Sequence, residues 1–327
     1  MNLACVDQIA KAVLYEGYLL YPYRPSSVKN RQRWNFGVVY PRRYSERSDG
    51  TEVWNTDTEF LVSGDANTRI EMRLRFLHLQ IRSTLVSAQP GSGSLEGWQE
   101  AVERDVALPE STIGELCRQP FRHGFEFPAQ RLTNSEGGAT FERRQEAVQG
   151  AVEIFAADVR DGIFKVTLCV ENTTAFECFS EDRDAALINS LVSTHSVLGV
   201  TAGEFVSLLE PPEGLQEVVA TCQNSGWWPI LIGDAGERST MLVSPIILYD
   251  YPQIAPESAG DLFDGTEIDE ILSLRILTLT DEEKREIRHS DERARQILDR
   301  TESMPAEQFM KLHGAVRALH PLKEDRP

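Results

Sequence analysis

Glu286 and His289 stand three residues apart, the spacing at which one helix face offers a carboxylate and an imidazole to the same metal in di-iron bundles. Such a site needs a second Glu-x-x-His pair and two more glutamates, and the chain has only this one pair. His313 and His320 lie seven apart, beside the stripe Phe309, Leu312, Val316 and Leu319. Two imidazoles on one helical face could hold nickel or zinc, or could sit at the edge of a core. Metal handling by Glu286, His289, His313 and His320 is therefore one reading of the C-terminal half. Nucleophilic chemistry would need Cys178 or Cys222 beside His195, a pairing that only folding can decide. No GxSxG, HExxH or CxxC motif is present, and neither Gly/Ser-rich stretch has phosphate-loop spacing. The sequence thus assigns no catalytic residue and calls for no cofactor.

Charge patterning suggests recognition instead. Residues 254–270, IAPESAGDLFDGTEIDE, hold six carboxylates and no base, among them Glu257, Asp261, Asp264 and Glu267. A calcium loop with Gly265 at its sixth position would place Gly260, Leu262 and Ile271 where ligands belong, which excludes that motif. Thr266 reads as a helix N-cap, with Glu267, Asp269 and Glu270 in the positive first turn. Thr280-x-x-Glu283 reads as a second capping box. Docking of a basic partner is the alternative use of these carboxylates. Residues 23–47 supply the opposite sign: seven bases, Arg31, Arg33, Arg42 and Arg43 among them, stand against Glu46 alone, a net of +6. Trp34 and four other aromatics are interleaved. That mixture resembles a single-strand nucleic-acid platform, a docking surface for the acidic segment or another protein, or a solvated basic face. The pair Trp227-Trp228 is a third docking candidate, or core.

The elements that would position these groups can be read from periodicity. A helix is expected over 3–14, and strands over 35–44 and 59–64. Residues 69–83 alternate as a long strand, with Ile70, Met72, Leu74 and Phe76 on one face. The apolar phase then switches to Leu77, Leu79 and Ile81, as a bulge would produce, leaving His78 on the strand surface. Residues 89–97 and 133–140 read as loops. Hairpins are expected from 151–159 with 163–174, and from 227–233 with 240–250. Residues 183–209 read as mainly helical. Beyond Pro252 the pattern becomes helical and charged. The expected architecture is α+β: an antiparallel, β-rich core over 1–251 with a possible sub-boundary near 89–97, then an acidic helical segment over 252–327.

A length of 327 residues and a hydrophobic content of 41% suffice for a sizeable core. The net charge of −18 argues against nucleic acid and against anionic membrane as partners of the whole chain. No apolar run reaches the roughly 20 residues of a membrane span, and no secretory pattern is seen, so a cytoplasmic protein without membrane insertion is expected. Five scattered cysteines are expected to be reduced and mostly buried.

Three stretches together carry a resemblance: SLVSTHSVLGVTAGEFVSLLEPPE (190–213), GWWPILIG (226–233) and SPIILYDYPQIAPESAGDLFDGTEIDEILSLRILTLTDEEK (244–284). They resemble a bacterial family, without an assigned activity, that is associated with gene clusters for nickel–iron hydrogenases. The resemblance implies a non-enzymatic accessory role in the assembly, maturation or stability of a hydrogenase. Hydrogenase subunits or maturation factors would then be the protein partners. It brings no catalytic residues with it.

Overall fold

The computed structural model describes residues 1–15, 34–48, 51–86, 98–136, 139–177, 183–253, 276–281, 284–285 and 292–305. By internal contacts the chain divides into two compact units. One is Met1–Glu16 with Trp34–Gln253, and the other is Gly17–Arg33 with Ile254–Pro327.

The first unit is a sandwich of two antiparallel sheets. Its strands are β1 (Asn55–Ser63), β2 (Arg69–Val86), β3 (Trp98–Thr112), β4 (Phe121–Phe127), β5 (Gln130–Glu136) and β6 (Ala139–Gln145). They continue as β7 (Val148–Arg160), β8 (Ile163–Asn172), β9 (Val192–Thr201), β10 (Glu204–Val206), β11 (Trp228–Leu231) and β12 (Thr240–Ser244). One sheet runs β10-β1-β8-β7-β4. The other runs β11-β12-β9-β2-β6-β5, with β3 along the second edge of β2. Every pairing is antiparallel.

Alternation builds the core. Phe60 and Val62 of β1, Ile154 of β7, and Val166, Leu168 and Val170 of β8 meet Met72, Leu74 and Phe76 of β2 and Leu198 of β9 in one buried cluster. Each such side chain contributes about 1.5–3 kcal/mol through burial. Phe60 and Phe205 meet edge to face at 5.8 Å. The chain changes sheets at Ala202–Gly203, between β9 and β10. A Cβ on Gly203 would lie 2.7 Å from the Ser63 carbonyl oxygen, so glycine lets the two sheets join there.

The sequence expectations divide sharply. The antiparallel β-rich core is present, as are both hairpins: β7 with β8, and β11 with β12. The expected helix over 3–14 is α1 (Leu3–Ile9) continued by a π-helical turn, Ala10–Leu14. Residues 183–209 are not mainly helical. Only α4 (Arg183–Leu187) is, and Val192–Thr201 is a central strand. It lies between β2 and β12, and every residue from Val192 to Val200 is buried, so no two-residue polar rhythm marks it as a strand. The expected strand over 35–44 is a loop with one bridge, Val39 to Leu191, and a helical turn, α2 (Arg42–Ser45). Residues 133–136 and 139–140, expected to be loop, are the paired ends of β5 and β6.

The phase switch in β2 has a different cause from the expected one. Pairing with β3 runs in unbroken register from Met72 to Arg82, so the side chains of β2 simply keep alternating. What changes is the surroundings. On the Phe76 side, the apolar cluster gives way to His78, Gln80 and Arg82. The bulge sits in β9, where Arg75 pairs with His195 but Leu77 pairs with Val192. His78 is fully buried rather than at the surface. Its Nε2 donates to the Glu146 carbonyl at 2.9 Å.

In the second unit, α5 (Glu292–Glu302) buries Ile297, Leu298 and Thr301 along one face. One helix and a few helical turns are all the helix that the described residues of 252–327 contain, well short of the helical segment expected there. The loop at 89–97 and the Thr266 N-cap lie outside the described residues, as does Glu283 of the second capping box. No described helix is long and apolar enough to cross a membrane. Of the four described cysteines, Cys117 is exposed and Cys5, Cys169 and Cys222 are half-buried, so the thiols are less buried than expected.

Candidate functional site

Two features stand out: a closed polar centre beneath the N-terminal helix, and an exposed apolar strap after β12. The centre forms on the outer face of the seven-stranded sheet. Arg75 and His195 are paired across β2 and β9 and point away from the core side occupied by Met72 and Leu198. Arg75 is 6% exposed and binds Asp7 of α1 at 2.5 Å and Asp105 of β3 at 3.1 Å, while Arg73 reaches the same Asp105 at 2.9 Å. The Tyr15 ring lies 5.7 Å from the His195 ring. Val6, Ile9, Leu14 and Tyr15 close the lid, all buried.

His195 Nδ1 sits 2.8 Å from the Ser193 carbonyl. A carbonyl only accepts, so Nδ1 carries the proton and Nε2 keeps its lone pair. Burial holds this imidazole at about 4, well below its ordinary value, so it is neutral near pH 7. Nε2 and the Ser193 hydroxyl are buried without a hydrogen-bond partner among the described residues, and Ser193 holds a φ of +50° in the bulge. Strain of this kind often marks a functional site. Here the site is sealed, since His195 is only 1% exposed. Of the two candidate cysteine partners, Cys178 lies outside the described residues. Cys222 packs with Leu61, Ile163 and Val206 on the outer face of the other sheet, and burial pushes its thiol up to about 11. Among the described residues no group of three or more His, Cys, Asp or Glu is placed to hold a metal.

The strap is the open feature. Pro245 ends β12, because proline offers no N–H to the ladder. Residues 245–253 then run across the β11 side of the sheet, pinned by Asp250. Its Oδ1 accepts from the Leu231 amide at 2.8 Å and its Oδ2 from the Ser207 hydroxyl at 2.5 Å. The Tyr251 amide donates to the Leu231 carbonyl at 2.8 Å, at a φ of +56°. At the near end, the Ser244 hydroxyl donates to the Ile246 carbonyl at 2.8 Å. Between these anchors Ile247 is 71% exposed and Tyr249 86% exposed. Ser207 also accepts from the Glu210 amide, which ties in the turn bearing Leu209, 50% exposed. The sequence expectation carried the β12 strand through Asp250. Pro245 was the signal that it stops and turns its apolar residues outward.

The residues singled out from sequence are distributed widely. Trp34 is 1% exposed at a φ of +63°, and its Nε1 donates to Gln99 Oε1 at 2.9 Å. Trp227 is buried, and its Nε1 donates to the Thr194 carbonyl at 2.8 Å. Both indoles are packed inside the fold, so neither offers its ring to a partner. Trp228 is half-exposed on β11. Arg42 and Arg43 are exposed; Arg42 binds Glu46 at 2.8 Å and lies over the Trp54 ring. Arg31, Arg33, Glu257, Asp261, Asp264, Glu267, Glu286, His289, His313 and His320 lie outside the described residues. No protein-family model matches the chain, and no curated protein matches it.

Proposed function

We propose that this chain is a non-enzymatic accessory protein that acts through protein–protein contacts in the assembly, maturation or stability of a nickel–iron hydrogenase. The observation that carries the contact reading is the strap. Two large apolar side chains stand out from a backbone fixed at both ends by buried or half-buried hydrogen bonds. Exposed aromatic and aliphatic residues on a preorganised backbone are the usual anchors of an interface, because little ordering entropy remains to be lost on binding. The hydrogenase part rests on the resemblance, whose longest motif begins at Ser244 and contains the strap. Arg42 and Arg43 offer a second contact, joined in sequence to Arg31 and Arg33. A cytoplasmic setting fits such a partner.

The test is recovery of the tagged full chain from its native host, beside a double variant, Ile247→Asp with Tyr249→Asp. Hydrogenase subunits or maturation proteins are expected with the parent chain and lost with the variant, whose circular dichroism should be unchanged. A parent chain that recovers none of them ends this reading.

A further inference from the structure

We infer that the corner formed by Ile247, Tyr249 and Leu209 receives a protein surface in which an apolar cleft is flanked by lysine or arginine side chains. This rests on the contact reading above and names the chemistry of the partner. The apolar half comes from the three exposed side chains. The demand for basic groups on the partner comes from the carboxylates beside them. Glu210 is exposed on the turn that Ser207 ties to Asp250, and Glu213 is exposed on the next turn, closed by the Leu215 amide donating to the Pro212 carbonyl at 3.1 Å; neither forms an ion pair with a described residue. Arg160 donates to the Gly214 carbonyl of that second turn at 2.6 Å and forms an ion pair with neither carboxylate. An apolar centre with an unpaired rim of one sign selects the opposite sign in its partner. A second copy of this chain would bring the same carboxylates, and a net charge of −18, against themselves. An anionic membrane is disfavoured for the same reason.

The measurement is site-specific photocrosslinking from position 249 of the full chain in its native host, with p-benzoylphenylalanine in place of Tyr249. The crosslinked partner residue is then mapped by mass spectrometry. Tyr249 is 86% exposed, so the replacement leaves the fold intact, which circular dichroism checks. The expected product links position 249 to an apolar site bordered by Lys or Arg. Its yield should fall severalfold with Glu210→Gln plus Glu213→Gln, and fall again as salt is raised. A link to this same chain, a link to a site without basic neighbours, or no link at all overturns the inference. The two readings fail separately. A hydrogenase protein linked through a non-basic site removes only the inference. A basic apolar site on a protein unrelated to hydrogenases keeps the inference and removes the hydrogenase reading.

Discussion

At the scale of single residues, the two buried histidines make stability depend on pH. Burial is the main cause that brings both His78 and His195 down to about 4. A folded-state value below the unfolded one means that the unfolded chain binds more protons at intermediate pH. The stabilisation is therefore complete above about 6.5 and is lost as the pH falls from there toward 4. Each histidine adds a slope of about 1.4 kcal/mol per pH unit in that window. Urea titrations at successive pH values should show the denaturation midpoint dropping through this range, with a shallower drop in His78→Gln or His195→Gln. The adjacent tryptophans give a second contrast. Trp227→Phe leaves the buried Thr194 carbonyl without its donor and should cost about 1–3 kcal/mol while sparing partner capture. Trp228→Ala, at a half-exposed position, should cost less stability, a difference that denaturant melts of the two variants would resolve.

At the scale of elements, legibility tracked exposure to solvent. The β7–β8 hairpin was plain in the sequence because β8 alternates buried and half-exposed residues from Phe164 to Asn172. β9 has no solvent face, and its run of Val, Ser, Thr and Leu could equally be read as a buried helix. The strap was half legible, since Pro245 announces the end of β12 but nothing in the sequence shows that Asp250 anchors the far end to Leu231 and Ser207. α3 (Ile113–Arg118) is a further case. Its capping box, Thr112-x-x-Glu115, was not singled out from the sequence; the Glu115 amide donates to the Thr112 hydroxyl, and Glu115 Oε2 accepts in return. The β4–β7 pair offers a matched test of packing. A Cβ on Gly150 would collide with the Phe125 ring and come within 2.9 Å of the Glu171 carbonyl, whereas one on Gly124 meets nothing closer than 3.9 Å. Gly150→Ala should destabilise by about 1–3 kcal/mol, through overpacking. Gly124→Ala should fall within about 0.5 kcal/mol of the parent. Thermal melts of the two variants would show it.

At the scale of the whole molecule, the sandwich should not need the residues beyond it. A chain ending at Gln253 retains every strand of both sheets. It should keep the strand-rich circular dichroism and a cooperative melt. Loss of that melt would mean that the division into two units does not extend to stability. Most of the surface candidates drawn from charge alone lie beyond the described residues, so charge runs said little about the sandwich itself. The lid over Arg75 and His195 carries a last consequence, for synthesis. The Asn2 amide donates to the Thr240 hydroxyl at the start of β12, 238 residues away. On the ribosome, at roughly 5–20 residues per second, Asn2 would wait about 12–48 seconds for that partner. Until β2, β9 and β12 have all been made, Val6, Ile9 and Leu14 lack the complete sheet that they cover, and α1 offers its apolar face to a chaperone.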